Sequence, residues 1–92
     1  MKLHEFFDSP EKWTQNGYAR NKKRDVVRPD AADAIQWCVL GAMAKCQIPD
    51  DEETKLRTHL RENHDSGRIA SWNDDPNLTF EQMRATLLLL DI

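Results

Sequence analysis

The sequence predicts a mainly α-helical fold: a single domain over residues 1–92, built as a bundle of three to four helices around a central helix at about residues 31–46. Two observations lead to this prediction. Apolar residues recur at helical spacing in several segments, and helix-capping signals precede those segments. A chain of 92 residues, 39% hydrophobic and 32% charged, also has the material for one core. Residues 18–28 are expected to form a short β-hairpin or a loop.

The central helix is predicted from its first residue and from its apolar face. Asp30 follows a proline and is expected to cap the helix. One face of the projected helix carries Ile35, Cys38, Val39, Ala42 and Cys46. Gly41 costs about 1 kcal/mol relative to alanine inside a helix. A bulky neighbour, Trp13 or Trp72, is therefore expected to approach the backbone at Gly41.

A second helix is predicted over about residues 50–63. Asp50 and Glu53 have the spacing of a capping box, and Glu53 can pair with Arg57 one turn later. The apolar stripe is narrow and consists of Leu56 and Leu60. This helix is therefore expected to lie on the outside of the bundle.

The last helix has the strongest local signal and is predicted over about residues 80–90. Thr79 and Gln82 form a capping box in front of an apolar run. The predicted inner face consists of Phe80, Met83, Leu87 and Leu90. Leu88 and Leu89 point elsewhere, and they are read either as further core or as a surface for a partner.

Three sequence elements carry a family resemblance that spans about residues 13–90. They are Trp13-x-x-x-Gly17-Tyr18-Ala19-Arg20, Ala34-x-x-Trp37-Cys38-x-x-Gly41-Ala42 and Ile69-x-x-Trp72-Asn73-Asp74-x-Pro76-x-x-Thr79. With them the chain resembles a family of small bacterial and phage proteins of unknown function. The resemblance implies a shared fold and a bacterial or phage origin, and it transfers no activity. The Asn73-Asp74 pair within it is expected to build a turn.

Charge is divided unevenly along the chain, whose net charge is −3. Residues 1–30 carry seven Lys or Arg and five Asp or Glu, whereas the rest of the chain is acidic. A basic cluster next to a tyrosine is the expected binding site, and its residues are Tyr18, Arg20, Lys22, Lys23, Arg24 and Arg28. Such a cluster suits an acidic protein surface or the phosphates of a nucleic acid.

Cys38 is the remaining residue with reactive chemistry. A thiol next to a histidine or at a helix N-terminus can act as a nucleophile, but the predicted position of Cys38 is mid-helix on the apolar face, where the pKa of a thiol rises. A zinc site from Cys38, Cys46, His59 and His64 is not expected, because there is no Cys-x-x-Cys pair and the two histidines do not share a helix face. No cofactor and no metal are predicted.

The leading functional prediction is a noncatalytic protein-interaction module, phage-encoded, that binds or inhibits a host component. The first alternative is a nucleic-acid-binding accessory protein that uses residues 20–28, and the second is an enzyme that uses Cys38. No stretch approaches the ~18 apolar residues of a membrane helix, and the N-terminus lacks the apolar run of a signal peptide. We therefore expect a cytoplasmic protein, in a bacterium or in the bacterial host of a phage.

Overall fold

The backbone of this chain forms five α-helices, one 3₁₀ turn and a two-stranded antiparallel sheet within residues 1–64 and 66–92, which the computed structural model describes. The helices are α1 (Leu3–Phe6), α2 (Val39–Lys45), α3 (Asp50–Asn63), α4 (Ile69–Asn73) and α5 (Phe80–Leu90). The 3₁₀ turn is Pro10–Lys12, and the strands are β1 (Ala19–Arg20) and β2 (Gln36–Trp37). A mainly helical fold is therefore confirmed. None of the described helices is both long and apolar enough to cross a membrane.

Helix α5 has the bounds and the cap that its sequence predicts. The Thr79 hydroxyl accepts the Gln82 backbone N–H at 3.1 Å, and the Gln82 side chain accepts the Thr79 N–H at 3.0 Å. Met83 and Leu87 are buried in the core, whereas Leu88 and Leu89 are exposed. The capping box and the predicted inner face are both confirmed.

The two ends of the chain meet at α5. The His4 N–H donates to the Ile92 carbonyl at 3.1 Å, and the Lys2 ammonium donates to the Asp91 carbonyl at 2.8 Å. The Arg84 side chain donates from Nε to the carbonyls of His4 and Phe7, both at 3.0 Å. These contacts hold α1 against the last helix, with Leu3 and Phe7 fully buried.

Helix α3 matches the prediction except at its first residue. Leu56 and Leu60 are buried, and the Arg57 guanidinium pairs with the Glu53 carboxylate at 2.9 Å, as predicted. The capping box is wrong, because Asp50 is already helical and Pro49 stands at the cap position without a side-chain hydrogen bond. Four acidic residues then fill the first turn, where the helix dipole favours negative charge.

The central helix is the main error of the sequence prediction. Helix α2 begins at Val39, not after Asp30, and it ends at Lys45. Residues 28–34 form turns instead, and β2 begins two residues later, at Gln36. In β2, Gln36 and Trp37 pair with the two residues of β1, and the Trp37 indole N–H donates to the Pro29 carbonyl at 2.9 Å. Strand pairing across the chain thus overrides a local helical pattern.

A hairpin within residues 18–28 is present only in part. Strand β1 pairs with the distant β2, and within the segment it makes a single bridge, from Arg20 to Val26. The turn between them is closed by Asn21, whose side-chain oxygen accepts the backbone N–H groups of Lys23 and Asp25, both at 3.0 Å. The segment is ordered by backbone pairing on one side and by this asparagine turn on the other.

Gly41 is the point at which the residue before β1, Tyr18, meets α2. A β-carbon at Gly41 would collide with the backbone carbonyl of Tyr18, so the predicted close approach is confirmed. The expected neighbour, Trp13 or Trp72, is wrong, because the backbone of Tyr18 fills the space. The same Tyr18 carbonyl accepts the Cys38 N–H at 3.2 Å, which holds the backbone just before β1 against the start of the helix.

We expect Gly41→Ala to lower the melting temperature, measured by circular dichroism, by about 10 °C or more. The added methyl must push the Tyr18 backbone away from α2, and overpacking of this kind costs about 2–3 kcal/mol. Gly67→Ala is the matched control, since the nearest atom to its new β-carbon lies at an ordinary 3.4 Å. The control should leave the melting temperature unchanged or slightly raised. Equal melting temperatures for the two variants would contradict the close approach.

Candidate functional site

The Asn73 side chain is the centre of a buried hydrogen-bond network. Its carbonyl oxygen accepts the Trp13 indole N–H at 2.8 Å and the Val39 backbone N–H at 3.0 Å. Its amide nitrogen donates to the Thr14 carbonyl at 3.1 Å and to the Asp74 carboxylate at 2.9 Å. Asn73 is 0% exposed, and all of its side-chain polar atoms are satisfied.

A second layer of hydrogen bonds ties residues 13–16 to the end of α4. The Gln15 side chain donates to the carbonyls of Asn73 and Asp75, at 2.9 and 2.8 Å. The Asn16 backbone N–H donates to the Asp74 carboxylate at 2.8 Å. The Asn73-Asp74 pair therefore acts mainly on a segment about 60 residues away. The local turn is made by Asp75, which accepts the Asn77 N–H at 2.9 Å.

Cys38 caps α2 and does not lie in the middle of a helix, so its predicted position is wrong. Its sulfur accepts the Gly41 N–H at 3.2 Å. Burial raises the pKa of the Cys38 thiol, and the negative charge of Asp74 raises it further, against the opposing effect of the Gly41 N–H. The residue is 5% exposed. A thiol that serves as a cap and resists ionisation is suited to structure more than to nucleophilic attack.

An open cleft of about 420 Å³ lies beside this network. It is lined by Asn16, Gly17, Tyr18, Cys38, Ala70 and Asp74. Most of its surface is apolar, and Asp74 is its charged member. Sequence reasoning missed the cleft because its lining comes from three segments far apart in the chain.

The arginines of the predicted basic site are largely engaged within the protein. The Arg20 guanidinium donates to the Thr14 hydroxyl at 3.1 Å and to three backbone carbonyls, those of Gln15, Asn16 and Arg24. The other two arginines of the site are more exposed but also paired. Arg24 donates to the Gln36 side chain at 2.6 Å, and Arg28 forms an ion pair with Asp30 at 3.1 Å.

The lysines of the predicted basic site lie at the tip of the Asn21 turn. Lys22 and Lys23 are exposed, and within residues 1–64 and 66–92 neither forms an ion pair. Asp25 and Asp33 line the same shallow depression as the two lysines, so the local charge is mixed. The charge around the loop is therefore less positive than the sequence of the loop suggests.

Three exposed apolar side chains lie close to Arg20 along the paired backbone. Tyr18 precedes β1 and is 59% exposed, Val26 forms the bridge to Arg20 and is 57% exposed, and the Ile35 N–H donates to the Arg20 carbonyl at 2.9 Å. We call these three residues, together with Lys22 and Lys23, the sheet surface. It combines apolar area with two ammonium groups that form no ion pair in the described part of the chain.

The histidines and cysteines do not assemble into a metal site in the described part of the chain. The rings of His59 and His64 have centroids 6.3 Å apart. No group of three or more His, Cys, Asp or Glu side chains among residues 1–64 and 66–92 is placed to hold a metal ion.

The fold and its network define a small helical domain in which one buried asparagine fastens residues 13 and 14 to the start of α2 and the end of α4. Residues 5–89 match the family of unknown function DUF6197, and the chain belongs to that family. The predicted membership of a family of unknown function is therefore confirmed. No curated protein and no solved structure matches the chain.

We expect Asn73→Ala to destabilise the protein by about 3 kcal/mol or more, with a fall in melting temperature of over 10 °C. The Trp13 indole N–H and the Val39 N–H both lose their acceptor, and each buried unsatisfied group costs about 1–3 kcal/mol. Chemical unfolding followed by tryptophan fluorescence measures the loss. Asn77→Ala, at an exposed asparagine of the same region, should change stability by less than about 0.5 kcal/mol. Equal free energies of unfolding for the two variants would show that the network does not stabilise the fold.

We also expect native Cys38 to react with iodoacetamide at least about tenfold more slowly than the half-buried Cys46. Burial raises the pKa of both thiols, so both rates should keep rising with pH past the usual thiol pKa of about 8.5. Mass spectrometry of the variants Cys38→Ser and Cys46→Ser isolates each rate, and unfolding in guanidinium should make them equal. Fast, selective labelling of native Cys38 would refute the structural assignment of its thiol.

Proposed function

We propose that this protein is a noncatalytic protein-interaction module that contacts its partner through the sheet surface. The observation that carries the proposal is the position of Tyr18, Val26 and Ile35. These large apolar side chains are exposed around one short strand, and the turn that follows this strand carries two lysines without ion pairs in the described structure. Exposed aromatic and aliphatic groups with a charged rim are typical of protein contact sites.

The rigidity of the underlying backbone supports this proposal. Val27 donates its N–H to the Ala19 carbonyl at 2.9 Å, and the Asn21 N–H donates to the Asp25 carbonyl at 3.1 Å. A surface that is already ordered loses little conformational entropy when a partner binds.

Nucleic-acid binding through residues 20–28 has weaker support. Arg20 gives its guanidinium to internal acceptors, and Arg28 is paired with Asp30. Asp25 and Asp33 also lie beside the lysines. A phosphate backbone would therefore meet a mixed field where the sequence suggests a basic one. For the enzyme hypothesis, burial and the raised pKa of the Cys38 thiol favour a structural role instead.

The proposal extends to the origin and the compartment of the protein. The family resemblance implies a bacterial or phage source, and we propose a host protein as the partner. Cys38 and Cys46 are both free thiols, as expected in a reducing cytoplasm.

The proposal is tested by capturing partners from bacterial lysate, with and without nuclease, on the wild-type protein and on Lys22→Ala/Lys23→Ala. Loss of two rim charges should reduce the amount of captured protein about fivefold or more. Lys45→Ala/Lys55→Ala is the matched control, because it removes two exposed lysines elsewhere on the molecule. Tyr18→Ala should reduce capture as well.

The pattern of capture decides between the functions. A protein that is held by the wild type and the control, lost by the loop variant and indifferent to nuclease supports an interaction module. Capture that disappears with nuclease indicates nucleic-acid binding. A partner held equally by both double variants, or no partner at all, overturns the proposed surface.

A further inference from the structure

We propose that the cleft beside Asn73 receives an aliphatic cation, the lysine or arginine side chain of the protein partner, with its charge on Asp74 and its chain along Tyr18. This inference rests on the proposed function for the source of the cation. The cleft itself is defined by geometry alone, and at about 420 Å³ it has room for one long side chain.

The Asp74 carboxylate supplies the charge for this site. One of its oxygens accepts the Asn16 N–H at 2.8 Å and the Asn73 amide at 2.9 Å, which fixes the orientation of the group. The structure gives the other oxygen no hydrogen bond within residues 1–64 and 66–92, and no cationic side chain of these residues pairs with Asp74. A held carboxylate with an open oxygen is a ready acceptor for an ammonium or a guanidinium group.

The charge of Asp74 acts within the cleft. It is one of the causes that raise the pKa of the Cys38 thiol, which is part of the lining. The Arg20 guanidinium, which lies beside Gly17, donates to four oxygen acceptors, and none of them belongs to Asp74. Among the described residues, the lining of the cleft thus contains one carboxylate and no basic side chain.

The remaining lining suits the methylene chain of a lysine or an arginine. Tyr18 offers an exposed aromatic ring, Ala70 a methyl group and Gly17 bare backbone. Long basic side chains pack their methylenes on apolar surface. The charged group at the end of such a side chain is attracted to the face of an aromatic ring. An acidic or a neutral polar group would gain neither the ion pair nor the ring contact.

Tyr18 also explains why a protein side chain is the expected occupant. It belongs both to the cleft and to the sheet surface, so a partner lying on the sheet surface reaches the cleft without a gap. The sheet surface and the cleft then offer the partner charges of opposite sign. Lys22 and Lys23 face acidic groups of the partner, while Asp74 accepts a basic one, and this arrangement fixes orientation.

The cleft is tested by ¹H–¹⁵N NMR titration of the full chain with n-butylguanidinium chloride at constant ionic strength. The amides of Asn16, Gly17 and Tyr18 should shift and saturate, with a dissociation constant of roughly 1–20 mM. Neutral n-butanol should cause at most small, unsaturated shifts. Asp74→Asn keeps an oxygen for the Asn16 N–H but removes the charge, and it should weaken binding about tenfold or more.

Asp75→Asn is the matched control, because it removes the same charge one residue away from the cleft lining. It should bind the probe like the wild type. Saturating shifts that are lost in Asp74→Asn and kept in Asp75→Asn support the site. No saturation, or equal binding by the two variants, overturns it.

The source of the cation is tested separately in the capture experiment. A captured partner should be reduced at least about fivefold by Asp74→Asn and unaffected by Asp75→Asn. A partner that is lost with Lys22→Ala/Lys23→Ala but retained by Asp74→Asn would leave the interaction module standing and overturn the cleft as its contact. Binding of the probe without any captured protein would overturn the partner side chain as the source, together with the proposed function.

Discussion

The buried amide of Asn73 is the interaction on which the arrangement of this fold most depends. It joins the residues after the 3₁₀ turn, the first turn of α2 and the end of α4 through Trp13, Val39 and Thr14. No apolar side chain of similar size can do this, because two donors and one acceptor from the backbone and an indole would be left unsatisfied. A buried network of this kind is costly when incomplete and specific when complete. Here the network is complete, and it fixes the position of residues 13–16 against α2 and α4.

The sequence predicts the elements whose signals are local and misses those that depend on distant pairing. Helix α5 begins and ends where Thr79, Gln82 and the apolar spacing indicate, and Leu56 and Leu60 place α3 correctly. Residues 31–38 have an equally helical pattern, yet β1 takes the backbone of Gln36 and Trp37 into a sheet. Periodicity carries no information about a strand that lies 17 residues earlier. The predicted position of Cys38 in the middle of a helix is wrong for the same reason, because α2 begins one residue after it.

The candidate site shows the same division between local and distant information. Sequence reasoning located the exposed loop and its lysines, since charge clusters are normally at the surface. It overestimated how far the arginines are available to a partner, because Arg20 donates to backbone carbonyls that no sequence pattern reveals. The signal that was available for Asn73 is its place between Trp72 and Asp74 in a recognised motif. Only the fold shows that this asparagine reaches about 60 residues back along the chain.

Tyr18 connects the stable interior of the protein to its proposed contact region. Its carbonyl accepts the Cys38 N–H and lies against Gly41, so its backbone cannot move without disturbing α2. Ala19, the next residue, is fully buried and paired with Trp37. The ring of Tyr18 is therefore an exposed group on a fixed backbone, beside a carboxylate that Asn73 and Asn16 hold in place. The asparagine that secures the fold thus also orients the charge in the cleft, and for this reason stability and recognition should respond together to changes at Asn73.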